Sequence, residues 1–272
     1  MSDPKIPDAV LAALKGSGFP FQTAVAQVVL ANQPTWRLHE TEYPWERVPG
    51  DGRFLDLIAT NGMLFLTIEC KKTRKETFTF LRPLGQGNTG NVLDFRCMHA
   101  ERLKGDQRVE ISSEEWNLYP KTHCSQFCVV STSDSGDQRL LEKDAGLLIS
   151  ATDAFADDFR RRATANAGQY VSDRCLFVPV IVTNAKLYTT RYKPSEAVPL
   201  DTGEFSKLPA ETESVECIRF RKAFPSSGQP DLGDRSIFVV TASSFSTLLN
   251  DLQPEELNPI ERRGQVQLRH RS

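Results

Sequence analysis

The chain reads as an α/β or α+β protein built on a mixed, covered sheet. Three observations predict this class. Helical and strand-like stretches interleave from end to end. Phe177 to Thr183 is a continuous apolar run of the kind buried on both faces, with Pro179 as its one irregularity. Asn61-Gly62 joins two apolar stretches as a tight hairpin.

The elements follow in order. Asp8 to Leu14 predicts a short helix stopped by Gly16-Ser17-Gly18, and a second helix opens at Phe19-Pro20, where proline suits the first turn. Phe21, Val25, Val28 and Val29 give that helix one apolar face, and it ends near Asn32-Gln33-Pro34. Trp36 to Trp45, Arg53 to Thr60 and Met63 to Lys72 predict three strands. Residues 74–125 read as an irregular, charged insertion with turns at Gly85, Gly87 and Gly90, and Phe127 to Ser131 as a short strand. Glu142 to Asn166 is the longest helical stretch, with Leu147, Leu148, Ala151, Phe155 and Phe159 near one face. Leu187 to Tyr192 is expected to pair with the strand at 177–183. Val215 to Phe224 and Ser236 to Thr241 predict further strands, and Ser243 or Ser244 is expected to cap a last helix. These elements make one domain over residues 1–253, followed by a polar, basic tail at 254–272.

Composition excludes several classes. Lys plus Arg number 33 against 35 Asp plus Glu, a net charge of −2, which rules out a histone-like electrostatic binder. No apolar run reaches the ~18 residues that a membrane helix needs, and Met1 to Asp8 lacks the pattern of a signal peptide. Cysteines at 70, 97, 124, 128, 175 and 217 are too scattered for a disulfide scaffold. Several lie in apolar runs, as free thiols do, so a reducing compartment, the cytoplasm, is expected.

Chemistry concentrates on the hairpin. In the third strand Leu64, Leu66, Ile68 and Cys70 form one apolar face, so Glu69 and Lys71 share the other, about 7 Å apart. Asp56 is a lone charge within Phe54-Leu55-Asp56-Leu57-Ile58, and the hairpin brings it close to Glu69. Buried charges are costly unless paired or metal-bound. Two carboxylates suit Mg²⁺, or Mn²⁺, with waters left over for substrate oxygens, and a lysine beside them can serve the attacking water or a charged transition state.

Asp56, a gap of 12 residues and then Glu69-Cys70-Lys71 resembles the PD-(D/E)XK, or restriction-endonuclease-like, nuclease superfamily. The order of helix, strand, strand with the Asp and strand with the Glu-x-Lys matches, and Gly18-Phe19-Pro20-Phe21-Gln22 looks like the start of the family's first helix. The likeness covers residues 18–72, and extends by topology alone to 142–166 and 177–183. The remainder is similar only in general texture to a defence-associated branch of such nucleases. Two departures stand out: neutral Gln22 where the family often has an acid, and Leu55 in place of the proline before the Asp. The resemblance implies a mixed central sheet flanked by helices and metal-dependent hydrolysis of phosphodiesters, in DNA before RNA. It implies Asp56, Glu69 and the Cys70 carbonyl as metal ligands, Lys71 as catalytic and Gln22 as accessory. It implies a homodimer or a partner protein of a defence system as the assembly. The alternative is a nuclease-fold module that has lost cleavage and binds nucleic acid or scaffolds a complex.

Lys72, Arg74 and Lys75 continue a basic run from the active strand and are expected to meet DNA phosphates. Arg160 to Arg162 suit a helix C-terminus. Arg219 and Arg221 share a strand face, read as facing either DNA or solvent. Cys97, His99, Cys124 and Cys128 make a legal zinc set at non-standard spacing, although Cys128 reads better as core. Gly85-x-Gly87-x-x-Gly90 matches a dinucleotide pattern without the strand it needs.

Overall fold

The computed structural model describes residues 8–47, 49–73, 77–84, 95–102, 108–131, 140–165, 174–223 and 234–254. The chain opens with α1 (Asp8–Gly16) and α2 (Phe19–Ala31), then β1 (Arg37–Trp45), β2 (Arg53–Thr60), β3 (Leu64–Lys71) and β4 (Thr77–Pro83). Next come β5 (Phe95–Arg102), β6 (Val109–Trp116), β7 (Leu118–Tyr119), β8 (Cys124–Ser125), β9 (Phe127–Ser131) and α3 (Leu140–Ala165). β10 (Arg174–Thr183), β11 (Lys186–Tyr192), α4 (Pro194–Ala197), β12 (Glu211–Val215), β13 (Cys217–Ala223), β14 (Asp234–Thr241), α5 (Phe245–Asp251) and β15 (Gln253–Pro254) complete it.

The main sheet is mixed and runs β1-β2-β3-β10-β14-β13-β8, with the β5–β6 hairpin joined to β10. β3, β10 and β14 are parallel neighbours, and β10 is buried along nearly its whole length. Its parallel position explains the unbroken apolar run, because helices cover both faces. On one side α3 packs Leu148, Phe155 and Phe159 against Phe65 and Phe177. On the other, α2 and α5 pack Val25, Val29, Phe245 and Leu249 against Leu66, Ile68 and Val180.

The hairpin between β2 and β3 forms as its turn chemistry predicts. Gly62 has φ +95°, which glycine adopts without strain, and Asn61 Oδ1 accepts from the Met63 and Leu64 amides at 3.2 and 2.8 Å. Among the described residues no helix is long and apolar enough to cross a membrane.

Four expectations are corrected. The described residues within 74–125 are not an irregular insertion: β4, β5 and β6 are full strands, and β5 continues the main sheet beside β10. Dense charge hid them, because β6 alternates buried or half-buried with exposed residues along a solvated edge. β11 does not pair with β10; it pairs with β4 and β12 in a second, four-stranded sheet, β12-β11-β4-β9. That sheet's Phe78, Phe80, Val130 and Leu187 join the α3-side core. Neither Ser243 nor Ser244 caps α5 through its side chain; both hydroxyls donate to Glu216, at 3.4 and 2.9 Å. Arg219 and Arg221 face neither DNA nor solvent, being only 3% and 8% exposed. Arg221 pairs with Glu115 and Asp234 at 2.6 and 2.5 Å, and Arg219 donates to the Thr122 carbonyl at 3.0 Å. The glycines at 85, 87 and 90, and the tail from residue 255, lie outside the described residues.

Phe177 is fully buried, and its ring centroid lies 5.5–5.8 Å from those of Phe65, Phe155 and Phe159. Phe177→Ala is expected to lower unfolding stability by about 3–5 kcal/mol in urea denaturation, since a cavity that size between sheet and helix cannot close. A loss below ~1 kcal/mol would show that this cluster does not hold α3 to the sheet.

Candidate functional site

The site lies where β2 and β3 part. Their antiparallel ladder ends at Leu57 opposite Ile68, so Asp56 stands one step beyond the last pair, level with Glu69. Side-chain alternation also breaks there: Leu55 and Ile58 face the α3-side core, whereas Leu57 faces the α2-side core. Asp56 therefore sits at an irregularity, and its carboxylate reaches into the fork, where Oδ2 accepts the Cys70 backbone N–H at 2.7 Å. The carboxylate thus stands in for the missing ladder bond.

β3 keeps strict alternation. Phe65 and Thr67 face α3, and Glu69 and Lys71 continue that face. Helix α3 runs antiparallel to β3 along it. Thr67 Oγ1 meets Thr152 Oγ1 at 2.6 Å, and two helical turns earlier Lys71 Nζ meets Asp144 Oδ2 at 2.5 Å. Four strand residues span about 13 Å and eight helical residues about 12 Å, so the two contacts keep register. Lys71 and Asp144 are both largely shielded, at 24% and 13% side-chain exposure.

A further carboxylate comes from β1. Thr41 pairs with Leu57 and Tyr43 with Leu55, which sets Glu42 opposite Asp56. Glu42 has φ +53°, a left-handed conformation that costs a non-glycine residue roughly 1–3 kcal/mol and is commonest at functional sites. Gln22, on the first turns of α2, donates through Nε2 to Glu42 Oε1 and to the Asp56 carbonyl, the latter at 3.0 Å. Gln22 thereby ties α2 to β1 and β2 as a hydrogen-bond donor, whereas the sequence suggested an accessory ligand.

The electrostatics follow from this crowding. Burial pushes the Glu69 carboxyl up to about 8; Asp56, Asp144 and Glu42 push the same way, and Lys71 opposes them. Asp56 is also raised, by burial and by Glu42, against the lowering effect of the Cys70 N–H. The Cys70 thiol is pushed far up by burial and packs at the edge of the α2-side core. Among the described residues no three His, Cys, Asp or Glu side chains converge as a metal cage. Two carboxylates that resist ionising together still fit Mg²⁺, which commonly takes one or two protein carboxylates and keeps its waters.

Other sequence candidates fare differently. Lys72 is not turned to a ligand: Nζ donates to the Lys15 and Ser17 carbonyls, at 2.5 and 3.0 Å, closing the C-terminal end of α1. Arg74 and Lys75 lie outside the described residues. Arg160, Arg161 and Arg162 pair with Asp157 and Asp158 within α3. Cys97 and Cys128 belong to opposite cores, so the zinc set is not assembled.

Sequence reasoning missed Glu42 and Asp144. Asp144 had a signal: Asp144, Leu148, Thr152, Phe155 and Phe159 form one helical stripe, on which an acid is out of place. Glu42 had none, because only strand register sets it beside Asp56. No family model, no curated protein and no solved structure matches this chain.

Proposed function

We propose that the protein is a metal-dependent nuclease of PD-(D/E)XK type that hydrolyses phosphodiester bonds, in DNA before RNA, with a role in defence against foreign DNA. One observation carries the reading. Half-buried Glu69 stands level with Asp56, Glu42 lies opposite Asp56, and the Lys71–Asp144 pair sits on the Glu69 face, so four carboxylates share one lysine, an arrangement that calls for a further cation. In that reading Asp56, Glu69 and the Cys70 carbonyl would hold Mg²⁺ or Mn²⁺. When bound, such an ion lowers the pKa of a coordinated water and offsets phosphodiester charge.

The chain's own residues do the rest. The Cys70 amide fixes the Asp56 carboxylate in the fork. Asp144 holds the Lys71 ammonium on the Glu69 face, where it can orient the attacking water and stabilise charge growing on phosphoryl oxygens. Gln22 braces Glu42 against β2 through its bonds to Glu42 Oε1 and the Asp56 carbonyl.

A second reading, a nuclease-fold module that binds nucleic acid or scaffolds a complex without cutting, draws on Gln22, a neutral donor where an acid would serve. Incubating pure protein with plasmid and single-stranded DNA, in Mg²⁺, Mn²⁺ or EDTA, tests both. Metal-dependent cutting that Lys71→Ala abolishes is the expected result. No cutting with either metal would favour the second reading, and cutting that survives Lys71→Ala would place the chemistry elsewhere.

A further inference from the structure

The second sheet ends on an unguarded strand. Among the described strands of five or more residues, β1, β6, β9 and β12 each have one neighbour. Charged residues line β1, β6 and β12, the usual protection of an open edge. β9, Phe127-Cys128-Val129-Val130-Ser131, carries no charge. Its inner side chains, Cys128 and Val130, are buried in the α3-side core, whereas Phe127 and Val129 on the outer face are 40% and 39% exposed. As an antiparallel partner of β4 it also turns the N–H and C=O of every second residue away from that strand. Ser125 Oγ answers the Phe127 carbonyl and amide at 2.8 and 3.2 Å, at the start of the strand alone.

One segment outside the described residues matches this edge. Gln265-Val266-Gln267-Leu268-Arg269 alternates polar with apolar over five positions, the length of β9. The other such segments of five or more residues each carry Gly or Pro instead. The reach is sufficient. Pro254 pairs with Leu118, nine residues before Phe127. Nine residues span at most about 32 Å, and the eleven from Pro254 to Gln265 reach up to about 40 Å. Charge fits as well. Arriving at the Phe127 end, the segment would run parallel to β9, with Val266 beside Phe127 and Leu268 beside Val129. Gln267 and Arg269 then turn to the Cys128 side, where Glu142 of α3 lies close enough to help push that thiol up.

We propose that residues 265–269 add to the open edge of β9 as a fifth strand of the second sheet, with Val266 and Leu268 covering Phe127 and Val129. Main-chain bonds along the edge supply the attachment, and the alternate apolar contacts set its register. Tethering holds the segment at an effective concentration on the order of 1 mM, ahead of a second copy of the chain at ordinary protein concentrations. The proposal goes beyond the nuclease reading and is independent of it, since no residue of the fork takes part.

Hydrogen–deuterium exchange of the full chain, read by mass spectrometry at two protein concentrations, tests the pairing from both sides. Peptides covering 127–131 and 265–269 would be followed in wild type, in the double variant Val266→Asp/Leu268→Asp and in Val129→Lys, with β12 as the open-edge reference and β10 as the buried one. Val129 is partly exposed, and 266 and 268 lie outside the described core, so the fold should persist; a circular dichroism melt checks this. In wild type, 127–131 should exchange more slowly than β12. The double variant should speed exchange across 127–131 by at least ~10-fold, Val129→Lys should do the same across 265–269, and β10 should stay unchanged. Exchange at 127–131 as fast as in β12 would overturn the proposal. Slow exchange there that ignores the double variant would overturn it too. If that protection grew with protein concentration, beside a dimer in light scattering, the occupant would be a second copy of the chain.

Discussion

Lys71→Ala is expected to cut the rate of Mg²⁺-dependent phosphodiester cleavage by about 10²–10³-fold, the cost of losing one preorganised charge at a transition state. The loss should fall on kcat, because the ammonium acts on developing charge rather than on ground-state binding. Asp144→Asn reaches the same centre indirectly. It removes the charge that holds Lys71 while leaving the helix stripe packed, so a smaller loss of about 10–100-fold is expected, as for other residues that orient a functional group. If Asp144→Asn matched the wild type in kcat, the ion pair would be structural and Lys71 would find its place without it. If Lys71→Ala retained more than a tenth of the wild-type kcat, Lys71 would not be the catalytic cation.

The second large effect concerns stability and its pH dependence without metal. Glu69 in the fold has its pKa pushed up to about 8, against about 4.5 when unfolded. The folded state thus holds a proton that the unfolded chain has already released between those values. Stability from this group is fully present below about pH 4.5 and is lost as pH rises through about 8. Asp56 is shifted the same way and adds to the loss. Each pKa unit corresponds to about 1.4 kcal/mol, so the ceiling is a few kcal/mol and several degrees in melting temperature.

Metal-free protein should therefore melt progressively lower from pH 6 to pH 9, and Glu69→Gln should flatten that slope and melt higher than wild type at pH 9. Mg²⁺ should raise the wild-type melting temperature more at pH 9 than at pH 6, because it favours the ionised carboxylates. An unchanged slope in Glu69→Gln, measured by scanning calorimetry with and without EDTA, would show that the carboxyl is not held protonated. No response to Mg²⁺ at either pH would remove the metal from the proposal.

Much of this site was legible before any fold was known. Glu69 and Lys71 share a face because strand side chains alternate, and Asn61-Gly62 demands the hairpin that sets Asp56 level with Glu69. Asp56 advertised itself as one charge among apolar neighbours. Glu42 could not be read so, since β1 is rich in charge and its register with β2 shifts at a bulge between Leu38 and Glu40. Arg219 and Arg221 misled for a related reason. A charged alternation looks solvated until Asp234 from the neighbouring strand, and Glu115 and the Thr122 carbonyl from far away in sequence, arrive to bury it.

The sequence by itself determined the local elements, the hairpin and the placing of Asp56, Glu69 and Lys71 at one strand end, because turn chemistry and side-chain period act over a few residues. Only the tertiary structure decided that β4 and β11 leave the main sheet for a second one, that α3 lies antiparallel on β3, and that Asp144 consequently meets Lys71. Those outcomes depend on which apolar faces cover which. Burial between distant segments sets that choice, and no short-range pattern in the chain encodes it.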